Sequence, residues 1–250
     1  MDIKNEYRAA NKGYSYVPGL VSIIIPVHDR NKLVNCLKAI ETQTYPKIEV
    51  ILVEFKGLPA EKRNIGFVAS EGEYVYFLDE DEYISPTVVE ECVKKAKEGY
   101  DIIAVPVIKS VPNEYLARCI AIIRESTYKT MFFKREVLEN IGLFDPRYRL
   151  CDDIEIRLRA LNAGYKVSVI DTGSLIHDER VTVTDTLRKT LLSRKAFKML
   201  RQIYGRETYQ KLVRTQFHRR RILRELLTSP AHILGVVLIM VLRFIARRIP

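Results

Sequence analysis

The chain has 250 residues and is 47% hydrophobic, enough to bury a sizeable core and near the upper end for a single α/β domain. Its formal net charge of +10 is uneven, because residues 187–250 hold sixteen Lys/Arg against two Asp/Glu and leave a small acidic excess on the rest. Four scattered cysteines without a C-x-x-C pair argue against a zinc site or a disulfide framework, and the polar stretch Met1 to Gly19 lacks the apolar run of a secretory leader, so a cytoplasmic body is expected.

In chain order, Val21-Ser-Ile-Ile-Ile-Pro26 is a continuous apolar run, the pattern of a strand buried on both faces. Leu33, Val34, Leu37 and Ile40 stand at helical spacing, so a helix follows over 31–44. Ile48 to Glu54 is a second strand, Lys62 to Ser70 a short helix and Glu73 to Leu78 a third strand. Ser85 is the expected N-cap of a helix to Glu98, with Pro86 at its first position. Asp101 to Ile108 is a fourth strand. Helix 112–125, strand Tyr128–Phe133, helix Arg135–Ile141, helix Asp152–Asn162 and strand Tyr165–Ile170 follow, and from Thr184 the pattern is helical. Strands alternating with helices predict βαβ units and a mostly parallel sheet. Ligands then bind beyond the carboxyl ends of the strands. Val27-His28-Asp29-Arg30, Glu54 and Asp79-Glu80-Asp81-Glu82 all occupy such positions.

The acidic run carries the clearest chemistry. Carboxylates are hard oxygen ligands for Mg²⁺ or Mn²⁺. Alternate residues let one carboxylate reach the ion while the other faces the ligand. A metal there bridges two phosphates and stabilises charge on a leaving diphosphate.

Six segments taken together resemble glycosyltransferase family 2: Val21 to His28, Gln43-Thr-Tyr-Pro46, Lys62-Arg-Asn-Ile-Gly66, Gly72 to Asp81, Ile141-Gly-Leu-Phe-Asp145 and Asp152-Asp-Ile-Glu-Ile-Arg-Leu158. The resemblance spans roughly residues 20–180. It implies a GT-A fold, a Rossmann-like mostly parallel sheet flanked by helices, and an inverting transfer of a sugar from a nucleotide diphosphate donor. By that resemblance Asp79 and Asp81 form the D-x-D motif, Asp81 binding a divalent metal (Mg²⁺ or Mn²⁺) and Asp79 contacting the ribose or sharing the ion. Pro26, His28 and Glu54 line the nucleoside pocket, Arg63 lies near the base or diphosphate, and His177 completes the metal shell. Asp153 is the catalytic base, with Asp152 and Glu80 in support. Arg157 or Arg159 is expected to be a structural ion-pair partner. Two departures leave the donor open among UDP-, GDP- and TDP-sugars. Glu54-Phe-Lys-Gly57 replaces the usual acidic pair followed by Gly-Ser, and the loop from Glu54 to Arg63 is short. Asp29 stands where Asn is common and Asp152 where Glu is.

Four segments are expected: an N-terminal extension (1–19), a catalytic domain (20–183), a basic helical region (184–225) and an apolar membrane-associating tail (226–250). Leu226 to Ala246 is mostly apolar, with Arg219-Arg-Arg221 and Arg224 before it and Arg243, Arg247 and Arg248 in or after it. This pattern fits an interfacial anchor on anionic lipid, a single span, or an oligomer interface. The expected protein is therefore a metal-dependent glycosyltransferase at the cytoplasmic face of the cell membrane, peripheral or single-pass, with a lipid-linked or glycan acceptor. A polyprenyl-phosphate sugar synthase and a non-catalytic nucleotide- or glycan-binding module on the same fold are the alternatives. A nucleic-acid binder is disfavoured, since no stacking aromatics are interleaved with the basic residues.

Overall fold

The structure, a computed structural model, describes residues 16–109, 115–125, 128–148, 150–177, 182–216, 223, 226–228 and 230–246. The arginines at 219–221, 224, 247 and 248, and most of the N-terminal extension, lie outside the described residues.

The first half follows the apolar pattern closely. Strand β1 (Val17–Pro26) leads to helix α1 (Arg30–Glu41), β2 (Ile48–Val53), α2 (Pro59–Ala69) and β3 (Gly72–Phe77). All six residues from Val21 to Pro26 are buried, as a strand covered on both faces requires. Asp29 caps α1, its carboxylate accepting from the Asn31 N–H at 3.0 Å. Helix α2 opens with Pro59 at its first position, and Glu61 accepts from the Leu58 N–H at 2.7 Å. Next come β4 (Glu82–Ile84), α3 (Val88–Lys97), β5 (Ile102–Lys109), α4 (Tyr115–Glu125), β6 (Tyr128–Lys134), α5 (Arg135–Ile141), α6 (Asp152–Asn162), β7 (Val167–Val169) and β8 (Leu175–His177). Helix α7 (Val183–Gln216) bends at Gly205, whose φ of 76° only glycine adopts freely. A 3₁₀ turn (Pro230–His232) and α8 (Ile233–Ala246) end the described chain.

The strands form one sheet in the order β2-β1-β3-β6-β5-β8-β4, with β7 also on β5. Among the described residues the sheet is mixed, with four of its seven strand pairings parallel. β1 pairs in parallel with β2 and β3, but β6 enters antiparallel between β3 and β5, and β4 runs antiparallel to β8. One correction concerns α3, which starts at Val88 after Thr87, three residues beyond the expected cap. Ser85 has other work: its hydroxyl accepts from the Ser174 N–H at 2.9 Å and ties the approach to β8.

One large core surrounds β1, β3, β5 and β6. Two smaller clusters attach the C-terminal helices. Leu158 and Cys151 pack against Ala196 and Leu200, so α7 lies on α6. Val236 and Ile239 pack against Cys119, Ile120, Ile122 and Ile123, so α8 lies on α4. Gly235 is required there, because a Cβ would stand 2.5 Å from the Cys119 sulfur.

Candidate active site

The carboxyl ends of β1, β2 and β3 share one edge, since Pro26 is level with Val53 and Ile24 with Phe77. Asp79 to Asp81 follow β3 at that edge. The antiparallel pairing of Glu82 with His177 then sets β8 beside the acidic turn. His177 Nε2 lies 3.3 Å from Asp81 Oδ1, and Lys32 Nζ 3.5 Å from Asp81 Oδ2. Burial opposes the Asp81 charge, but the contact with His177 prevails and its carboxyl titrates below the usual range.

The segment Lys62-Arg-Asn-Ile-Gly66 on α2 ties the site together, one residue at a time. Lys62, 2% exposed, donates to the Val27 carbonyl at 2.6 Å and lies 3.0 Å from His28 Nδ1. Arg63 bridges Asp79 at 2.6 Å and Asp152 at 2.5 Å, with its guanidinium over the Phe144 ring. Asn64 exchanges two hydrogen bonds with the Phe144 backbone, at 2.9 and 3.0 Å. Gly66 lets α2 sit on the sheet, since a Cβ there would come within 2.2 Å of the Ile24 side chain.

Arg63 thus joins the acidic turn to the start of α6, whose Asp152 is 89 positions from Arg63 in sequence. Asp152 and Asp153 open that helix, where the dipole favours anions. Burial, and next the Asp152 charge, push the Asp153 carboxyl up to about 6, against the opposing pull of Lys129 and Arg63. Asp79 responds the other way. Burial opposes its charge, yet Lys129 and Arg63 hold it well below the ordinary carboxylate range.

Glu80 turns inward and accepts from the backbone N–H groups of His28 and Asp29, at 3.0 Å for Asp29, fixing the loop after β1. Pro26 ends β1 at the same edge. Glu54 sits at the rim in an exposed ion pair with Arg30 at 2.7 Å. Arg159 is the structural partner expected on α6. It pairs with Glu155 at 2.5 Å and donates to the carbonyls of Ile141, Gly142 and Leu143.

Lys129 escaped the sequence reading, and Glu82 entered it only as the last residue of the acidic run. Glu82 is 1% exposed, and Lys129 Nζ lies 2.5 Å from both its oxygens and 2.7 Å from Asp79 Oδ2. The available signals were a lysine inside the run Tyr128 to Phe133 and a fourth acid in the acidic run.

Among the described residues, no group of three or more His, Cys, Asp or Glu side chains gathers as a metal cage. Both Asp79 oxygens are taken by Arg63 and Lys129, which leaves Asp81 and His177 as adjacent protein donors. Such a set suits Mg²⁺ or Mn²⁺, ions held by one or two protein groups together with substrate phosphates.

The fold and the edge of carboxylates define the GT-A class of nucleotide-diphospho-sugar transferase folds. Residues 56–151 match the model for Glycosyl transferase family 2. It is similar to an uncharacterized glycosyltransferase, EpsJ, of Bacillus subtilis (strain 168), 25% identical over 64% of this chain and 61% of the relative. The chain therefore spans less than two thirds of that relative's length. Among solved structures it resembles the mannosyltransferase PcManGT of Pyrobaculum calidifontis, in complex with GDP-Man and Mn²⁺. That match has a TM-score of 0.57 and 16% identity, over 96% of this chain and 81% of the other. It also resembles TarS residues 1–349 of S. aureus in complex with UDP-GlcNAc, with a TM-score of 0.50 and 17% identity, over 70% of this chain and 65% of the other.

Proposed function

We propose that the protein is a metal-dependent, inverting glycosyltransferase that moves a sugar from a nucleotide diphosphate sugar to a lipid-linked or glycan acceptor at the cytoplasmic face of a membrane. The observation that carries this reading is the Arg63 bridge, which sets the donor carboxylate Asp79 beside the Asp152–Asp153 pair. Asp153 is the base. Its carboxyl, pushed up to about 6, is ionised at neutral pH yet basic enough to take a proton from a hydroxyl. Asp79 faces the donor, and Arg63 keeps one guanidinium N–H (Nε) buried without a hydrogen-bond partner among the described residues, a donor left for a ligand.

The charge balance supports a cation. Asp79, Asp81, Glu82, Asp152 and Asp153 face Arg63, Lys129, Lys32 and Arg157, a slight acidic excess that gives a bare diphosphate no net attraction. Asp81 and His177 would hold the ion, which when bound neutralises the diphosphate. A thermal-shift panel of UDP-, GDP- and TDP-sugars with and without Mn²⁺ tests this directly. One nucleotide class should raise the melting temperature, and more so with Mn²⁺. No shift with any of them would sink the donor reading.

Membrane attachment is supported by α8. Its 14 residues span about 21 Å, short of the roughly 30 Å hydrocarbon layer. No helix among the described residues is long and apolar enough to cross a membrane. Instead α8 buries Val236 and Ile239 and leaves Leu234, Val237, Leu238, Val241 and Phe244 outward, Leu234 being 81% exposed. An outward apolar face with Arg243 beside it fits an interfacial helix on anionic lipid. The full chain should therefore sediment with phosphatidylglycerol vesicles at low salt, and a Leu234→Glu/Val241→Glu variant should stay in the supernatant. Equal sedimentation of the two proteins would contradict the anchor.

A further inference from the structure

Lys129 is a cation that none of the roles above uses. It enters the site because β6 runs antiparallel to β3: Tyr76 pairs with Phe132, so the first residues of β6 lie beyond the carboxyl end of β3, beside Asp79. Its ammonium is mostly buried, with Asp79 Oδ2 at 2.7 Å and both Glu82 oxygens at 2.5 Å. Glu82 also accepts from the Asp79 backbone N–H at 2.9 Å. Asp79 is therefore gripped on its main chain by Glu82, on one oxygen by Lys129 and on the other by Arg63. Three contacts from three different elements leave this carboxylate a single orientation.

Resting on the transferase reading above, we infer that Lys129 is a positioning residue for both halves of the site: with Glu82 it fixes the Asp79 carboxylate toward the donor, and through the Asp79–Arg63–Asp152 bridge its fixed positive charge is held on the side of the site that bears the base, Asp153. The alternative, a lysine that serves only as counter-ion to a buried glutamate, explains the Glu82 contact but gives no function to the one with Asp79. The charged groups facing Asp153 are Asp152 and Arg157 on its own helix, Arg63 on α2 and Lys129 on β6. Asp152 disfavours the ionised base, and Lys129 and Arg63 favour it. Arg63 contacts both Asp79 and Asp152, whereas Lys129 contacts Asp79 and acts on Asp153 through space. Lys129 thus grips the donor carboxylate directly, and that carboxylate is joined through Arg63 to the turn that bears Asp153.

The experiment compares the full-length wild type with Lys129→Arg and with Lys129→Met/Glu82→Gln. The double change removes the buried pair together, so that no lone carboxylate is left to unfold the protein; circular dichroism checks the fold. Two quantities are read, the affinity for UDP and GDP with Mn²⁺ by calorimetry, and the titration of the Asp153 carboxyl by ¹³C NMR, assigned with Asp153→Asn. In the double variant the nucleotide that the wild type binds should bind about tenfold more weakly. The Asp153 titration should move up by about one pH unit. Lys129→Arg should retain most of both properties. A folded double variant with unchanged Asp153 titration and unchanged affinity overturns the inference. If the wild type binds neither nucleotide, the transferase reading fails on its own, and the Asp153 titration still decides whether Lys129 acts on that group.

Discussion

Replacing Asp153 with Asn should lower transfer at pH 7 by about 10²- to 10⁴-fold, the range that a positioned general base contributes. It should leave the melting temperature equal or higher. The two effects part company because the carboxyl titrates at about 6 in the folded protein, above its ordinary 3.8. A raised carboxyl contributes stability that is fully present below the unfolded value and is lost as pH rises through about 6. Asparagine stays neutral and removes that loss. Wild-type transfer should accordingly rise with pH through about 6 as the base ionises. Initial rates against pH, with melting curves in the same buffers, read both. A variant that lost activity and stability together would make Asp153 a structural residue.

The largest stability effect is expected at Arg63. Arg63→Met leaves Asp152 without its guanidinium and Asp79 with Lys129 alone, in a site where Arg63 is only 5% exposed. Breaking a buried pair from one side costs about 3–5 kcal/mol. Urea unfolding at pH 7 should show a loss of that order. Because the Asp79 carboxyl is depressed in the folded state, its share of stability is present above the unfolded value and fades as pH falls. The gap between wild type and variant should therefore narrow on acidification. A loss below about 1 kcal/mol at neutral pH would mean that solvent screens the cluster.

Much of this architecture is written in local sequence. The run Val21 to Pro26 has no polar face beyond Ser22, and only a strand covered on both sides accommodates it. The acidic run follows such a strand, and the Asp152–Asp153 pair opens a helix that Gly164 stops soon after its end. What escaped is what pairing decides. Strand β6 carries no mark of its direction, because an apolar strand looks the same read either way along the sheet. Lys129 then had no visible route to Asp79. Strands β4 and β8 have three residues each, too few for any period, yet their register is what brings His177 to Asp81. Ser85-Pro86 carried a helix-start signal, and tertiary contact with Ser174 claimed the hydroxyl instead.

The fastening of α7 to α6 also lies beyond local pattern. Tyr204 donates to Glu155 at 3.0 Å, and Glu155 pairs with Arg159 beneath the Asp152–Asp153 turn. The basic arm is thus packed on the helix that bears Asp153. A truncation before Tyr204 would disturb the Asp152–Asp153 turn as well as remove α8.

The central claim is that Asp153 activates an acceptor against a nucleotide-sugar donor held by the acidic turn. It is tested most directly by incubating the full chain with Mn²⁺, a membrane lipid extract and labelled UDP-, GDP- or TDP-sugars, then measuring label in the lipid and glycan fractions. Transfer from one nucleotide class, with inverted anomeric configuration and loss of signal in Asp153→Asn, is the predicted result. Equal transfer by wild type and Asp153→Asn, or a product with retained configuration, would contradict it.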